Sequence, residues 1–237
     1  NAFGRNIRRP ADMIDGTVLQ PGGVLSFAQA AGPFTTANGY SSGAAILRGR
    51  IVTNGIVGGG LCSTATTLFN AAARAGLQIN ARANHSFYIS RYPVGLDATI
   101  WVNNRNQGKN LVFTNDMKSP ITIEALTGRR FVTFQTWGIG DGRSTTFSAP
   151  LIQNRRMPMG SAWYYSDGLA PGRHRRLVSP ADGFDPAVTR TVRAIDGSVI
   201  RRDSFRSRYR AQQGHVLLGR YPTDPVDGTR APTPLNP

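Results

Sequence analysis

The sequence predicts an α+β fold, with one main helix packed on antiparallel strands and then an elongated β-rich module. Three observations carry this. Thr64 to Ala75 contains no Gly or Pro and sets Leu68, Phe69, Ala72 and Ala75 on one helical face. From Leu77 onward, strand-length apolar runs alternate with turn residues. A helix followed by such strands is the order of an α+β domain. A second β-rich stretch holds Asp196-Gly197 between two alternating runs, which is a hairpin signal.

Taken in order, Asn6 to Ile14 reads as a short helix with Pro10 near its first turn, stopped by Asp15-Gly16. TVLQPGGVLSF gives two β-rich runs about a Pro21-Gly22-Gly23 turn. GPFTTANGY carries the tight-turn pair Asn38-Gly39, and ILRGRIVTNGIVGGG continues as glycine-rich strands and loops. The main helix follows, with Ser63 or Thr64 expected as its N-cap and Gly76 as its C-terminal stop. SFYISRYPVG, DATIWVN, NLVFTN, PITIEAL and RRFVTFQTWG read as strands. This places a first domain over residues 1–140, a polar connector over 141–162 and a β-rich module over 163–222. A Pro/Thr-rich tail, 223–237, is expected to be extended or disordered without a partner.

Composition narrows the function classes. The chain has 237 residues, is 40% hydrophobic and can build a core. No apolar run approaches the ~18 residues of a membrane span. The chain starts at Asn1 rather than Met, and an upstream region lost with a signal peptide is the expectation. The formal charge is +15, and Lys109 and Lys118 are the only lysines among 28 basic residues. Arginine forks onto carboxylate and phosphate, so an anionic partner is expected: a wall polymer, an acidic surface protein or a second copy. A general Arg-rich bias accounts for the same composition. Nucleic acid is not the expected partner, because no RNA-binding signature accompanies the arginines. Before Asn115 the only carboxylates are Asp12, Asp15 and Asp97, and Glu124 is the only Glu, which leaves little for two-carboxylate chemistry. His85, His174 and His215 are far apart and there is one Cys, so no zinc spacing exists and no metal or cofactor is expected.

The lone Cys62 stands after Gly58-Gly59-Gly60 at the start of the main helix. A helix N-terminus favours a thiolate. His85 and then Asp97 follow, both expected near strand starts, and Cys, His, Asp is the chain order of transglutaminase-like and papain-like thiol enzymes. The plainer alternative has Cys62 as a small buried hydrophobe, the glycines as a tight turn, and His85 and Asp97 bonded to backbone. Arg206 and Tyr209 sit in a basic stretch with Phe205. It reads either as a stacking surface or as a solvated β face with its aromatics inward.

The succession RNIRRPADMIDGTVLQPGGVLSF, GPFTTANGY, GGGLCSTATTLFNAAARAGL, RANHSFYISRYPVGLDATIW and NLVFTN resembles the VanW-like family of bacterial envelope proteins, over about Asn6 to Gly138. Its recurring features map to Gly58 to Gly60, Cys62, Thr66-Thr67-Leu68, His85 and Gly95 to Thr99. Family members usually hold Gln after the cysteine, where this chain has Ser63. The second unit is similar to the glycine-rich "G-five" β-module proposed to bind wall glycans. The resemblance implies an extracellular or wall-associated protein. Three functions follow as expectations. One is binding of peptidoglycan or another anionic wall polymer. The second is a thiol acyltransferase or peptidase with Cys62 as nucleophile, His85 as base and Asp97 as orienter. The third is a structural subunit of a surface layer or filament. Gly58, Gly59, Gly60, Ser63, Thr64, Tyr92, Arg206 and Tyr209 are the candidate binding positions.

Overall fold

The computed structural model describes residues 2–47, 50–103, 107–128 and 131–233. The last four residues of the tail lie outside the described residues, as do 129–130 in the expected RRFVTFQTWG strand and 48–49 in the glycine-rich stretch. Contacts divide the chain into two units. Unit 1 comprises 1–85, 89–151 and 186–207; unit 2 comprises 86–88, 152–185 and 208–237.

Unit 1 is an α+β assembly. Helix α1 spans Ala2–Ile14, α2 spans Phe27–Ala31 and α3 spans Leu61–Arg74. Helix α1 starts earlier than the sequence suggests, so Pro10 falls in its interior. Its buried face is Asn6, Pro10, Ala11 and Ile14, an i, i+4, i+5, i+8 stripe that seats the helix. The two short strands flanking Pro21-Gly22-Gly23 do not pair with each other. Thr17–Leu19 joins Ile121–Thr127 and Val132–Gly138 in one antiparallel sheet. Val24–Ser26 joins Val112–Thr114 and Gln78–Ala81 in another.

Helix α3 is the centre of this core. Ala65, Leu68, Phe69 and Ala72 are buried with Phe27, Leu77, Leu111, Phe113 and Ile123. It ends in a Schellman motif: the Leu77 N–H donates to Ala72 O at 3.1 Å and the Gly76 N–H to Ala73 O at 3.2 Å. This requires the left-handed φ of +72 to +80 class that Gly76 adopts at +76°. The fully buried Arg190 donates to Ala73 O at 2.9 Å and pairs with Asp203, placing a cation at the helix C-terminus. The Asp196-Gly197 hairpin forms as expected between Gly183–Arg193 and Val199–Arg206, with Gly197 at φ +83°. Its paired residues from 187 to 206 belong to unit 1 rather than to a 163–222 module.

Two expectations of sequence are corrected. The 141–162 segment is not a bare connector, since it contains the strands Ser144–Phe147 and Leu151–Arg156. Residues 82–100 are not strands; only Trp101–Val102 of DATIWVN is. In unit 2, Ser161–Ser166 runs parallel to Gly214–Gly219, which pairs antiparallel with His174–Val178. Part of the tail joins this sheet, because Arg230–Ala231 pairs with Tyr164 and Trp163 and buries Ala231. No helix among the described residues is long and apolar enough to cross a membrane.

Candidate functional site

The site begins at the N-terminus of α3. The N-cap is Gly60, in a left-handed conformation at φ +119°, and neither Ser63 nor Thr64 caps the helix. Their hydroxyls are taken: Ser63 Oγ lies 2.9 Å from Tyr92 Oη, and Thr64 Oγ1 donates to Ile7 O at 2.8 Å. Cys62 is therefore inside the first helical turn. Asn6 of α1 fixes the approach. Its buried amide donates to Gly59 O at 2.9 Å and Ser41 O at 2.8 Å, and accepts from the Ser41 N–H at 2.8 Å. Gly59 O is the carbonyl three residues before Cys62, where a first-turn N–H would look for a partner. The neighbouring first-turn amides have theirs: Leu61 donates to Gly58 O and Ser63 to Gly60 O. Among the described residues the Cys62 N–H has no hydrogen-bond partner.

The other wall of the site is the extended segment Leu96 to Ile100, held by side chains of α3 rather than by a strand. Asn70 Nδ2 donates to Leu96 O at 2.8 Å. Thr66 Oγ1 accepts from the Ala98 N–H at 2.9 Å and donates to Ala98 O at 3.2 Å. The Ile100 N–H donates to Cys62 Sγ at 3.5 Å, and the thiol lies 3.9 Å from Ile100 O. The spacings match for a physical reason: four helical residues rise ~6 Å and two extended residues ~6.6 Å. Positions 62, 66 and 70 thus meet 100, 98 and 96 rung by rung. This ladder is why DATI forms no strand: its backbone groups already have partners.

The ladder delivers Asp97 to His85. His85 Nδ1 lies 2.5 Å from Asp97 Oδ2, which also accepts the His85 backbone N–H at 2.7 Å. Asp97 Oδ1 takes Arg82 Nη2 at 2.8 Å. The guanidinium is further held by Gly95 O at 3.0 Å and Ser207 Oγ at 3.0 Å. These side chains are at most a tenth exposed. Burial acts to lower the His85 pKa. Its bond to Asp97 and the nearby Cys62 and Asp97 side chains outweigh burial, and the imidazole is pushed up to about 9. It holds its proton at neutral pH. Tyr92 stacks on it with centroids 5.5 Å apart, and burial raises the Tyr92 pKa against the lowering by Ser63 and Arg91.

Cys62 is half-buried and faces a cleft of about 340 Å³. The glycine triplet, Ser63, His85, Tyr92 and Thr99 line it, with Phe3, Phe34 and Trp101 among the apolar walls. Thr99 Oγ1 is buried and has no hydrogen-bond partner among the described residues. Gly58, at φ +96°, has no room for a Cβ, which would stand 2.6 Å from Leu61 Cδ1. The structure thus gathers Gly58, Gly59, Gly60, Cys62, Ser63, His85, Asp97 and Tyr92 about one place. It does not bring in the rest. Thr64 is a buried tether to α1. Arg206 is exposed on a strand of unit 1 and is not part of the cleft lining. Tyr209 is fully buried in unit 2, edge-on to Phe184 and tilted on Tyr88, so its ring presents no stacking surface. Sequence reasoning missed Asn6, Asn70 and Arg82, and it placed Thr66 and Thr99 among the recurring features of the resemblance without giving them a role. The spacing Cys62, Thr66, Asn70, i, i+4, i+8 on one helix, was the available signal. Among the described residues no group of three His, Cys, Asp or Glu is placed to hold a metal ion.

The site thus sets a cysteine in the first turn of a helix, a histidine and a buried aspartate on an α+β scaffold. A family model described as "VanW like protein" matches residues 4–137, more than half of the chain, and the chain belongs to that family. The "Uncharacterized protein YoaR" of Bacillus subtilis (strain 168) is 40% identical over 121 residues, 51% of this chain. The chain spans 38% of that relative's length over the match. A solved structure, "Crystal structure of HP0197-G5", is 17% identical and covers 32% of this chain and 97% of its own, with a TM-score of 0.17. At that score it carries no argument about this fold.

Proposed function

We propose that this chain is an exported cell-envelope protein whose unit 1 performs acyl transfer or hydrolysis on wall peptides through Cys62. One observation carries the reading: Cys62 and His85 line one open cleft, and Asp97 holds the His85 imidazole from behind. The sulfur attacks a peptide carbonyl carbon as the thiolate, its charge balanced by the protonated His85 imidazole. Charge develops on the carbonyl oxygen, and the Cys62 N–H and Thr99 hydroxyl are the donors at hand. The C–N bond breaks as His85 passes its proton to the leaving amine. Water or an acceptor amine then attacks the thioester, giving its proton to His85, and the C–S bond breaks to return the Cys62 thiolate beside the protonated imidazole. Asp97 and Arg82 are positioning residues that hold the imidazole.

The test is release or exchange of amide-linked groups from purified wall stem peptides, followed by mass spectrometry. Cys62→Ala lowers the rate on the order of 10³-fold or more. Thr99→Val lowers kcat with little change in KM, as expected for a contact made in the transition state. Turnover falls above about pH 9, where His85 loses its proton. Full activity in Cys62→Ala refutes the reading. A second reading, simple retention on an anionic wall polymer, draws on the chain's excess of arginine and on the G-five resemblance of the later residues. It predicts binding to purified wall that survives Cys62→Ala and weakens with salt.

A further inference from the structure

The thiol cleft continues into a second groove of about 860 Å³. Phe3, Ser63 and Arg91 line both. Arg5 and Arg8, one turn apart on α1, line the second groove with Arg91, and no carboxylate does. Among the described residues, the ion pairs involve Arg82, Arg143, Arg156, Arg190, Arg201 and Arg220. Arg5, Arg8 and Arg91 are in none of them. These three are instead aimed by neutral contacts. Arg5 Nε donates to Ser41 Oγ at 3.0 Å and Arg8 Nη2 to Gly128 O at 3.0 Å. Arg91 lies over the Tyr92 ring at 4.8 Å and donates to Tyr92 Oη at 3.2 Å. Each is held in place with no carboxylate partner among the described residues. Three guanidiniums on one groove repel each other, and an anion in the groove relieves that.

We infer that this groove binds the carboxylates of an acidic peptide, so that the acyl donor offered to Cys62 is anionic on its Arg91 side. The inference rests on the thiol reading for its chemistry, but not for its binding. A peptide is favoured over a phosphate polymer because the groove is also walled by Phe3, Ile7 and Phe131, with Phe131 60% exposed. Peptide side chains and backbone cover such walls, whereas a strongly hydrated phosphate chain gains little from them.

The test compares two alkylating agents of one size and different charge on the same thiol. In each, the Cys62 sulfur bonds the methylene carbon and iodide leaves, and a proton lost from the thiol goes to water or buffer. Relative to free cysteine, iodoacetate gains on iodoacetamide by about tenfold at low salt. The gain disappears in the Arg5→Gln, Arg8→Gln, Arg91→Gln triple variant and in 0.5 M salt, while the iodoacetamide rate stays within about twofold. Iodoacetamide reacting well with no preference for iodoacetate overturns the inference and leaves the thiol reading standing. If neither reagent reacts, the thiol reading fails and the groove is decided by binding to Cys62→Ala. There, tetraglutamate binds at least tenfold more tightly than tetraglutamine and the triple variant loses the difference. Equal binding of the two peptides, or tighter binding of pyrophosphate than of tetraglutamate, overturns the inference.

Discussion

The proton on His85 links the site to the stability of unit 1. The imidazole rises from an ordinary 6.5 to about 9 in the folded chain. A raised folded pKa means that the native state holds the proton more tightly than the unfolded state. The contribution is therefore fully present below pH 6.5 and is lost as pH rises through about 9. Each unit is worth 1.36 kcal/mol, so the loss across this window is about 3 kcal/mol, as an order of magnitude. The side chain is 10% exposed, so solvent screens little of it. Urea titrations from pH 6 to 9.5 follow the loss, and nitrogen-detected NMR of the imidazole assigns it to His85. Asp97→Asn removes the largest influence that raises the pKa, so His85 titrates lower than in the wild type and the alkaline loss shrinks. A wild-type His85 that titrates at or below 6.5, or a stability that does not decline between pH 6.5 and 9, would refute the reasoning.

Three further outcomes follow from the geometry. Thr66→Val keeps the shape of the rung but strands the Ala98 N–H and C=O, and chemical denaturation should show a loss of about 2–4 kcal/mol. Asn6→Ala removes three buried hydrogen bonds and frees Gly59 O to take the Cys62 N–H; stability falls by about 2–4 kcal/mol, and kcat falls further than KM changes. Gly60→Ala forces a side chain onto φ +119° with its Cβ 3.0 Å from Phe3 O, and lowers stability by at least about 1–2 kcal/mol in the same assay.

How much of this was legible depended on which interactions were local. Helix α3 was readable because its apolar period, its freedom from Gly and Pro, and Gly76 all act within a few residues. The Asp196-Gly197 hairpin was readable for the same reason. The start of α3 was misjudged: Ser63 and Thr64 are good caps by type, but Tyr92 and Ile7 hold their hydroxyls from outside the helix. SFYISRYPVG and DATIWVN look like strands because they are strand-length runs between turn residues. The partner of Leu96 to Ile100 is the polar edge of a helix, and no sheet forms there. Cys62, His85 and Asp97 could be nominated by residue type and order. Arg82 and Asn6 could not, since an arginine among so many and an asparagine in a helix carry no local mark of the partners they find 15 and 53 residues away. Tyr209 was nominated by its arginine neighbours, and burial against Phe184 decided otherwise.

The last rung of the α3 ladder gives the site its own signal. The Ile100 amide proton rests on the Cys62 sulfur, 38 positions away in sequence. Whatever happens to that sulfur, whether it ionises, is alkylated or is held in a thioester, changes the acceptor that this one amide sees. The Ala98 amide, on Thr66, is the unchanged reference one rung below. The pair of peaks in a backbone NMR spectrum would record the chemical state of the thiol during turnover, without a label on the cysteine.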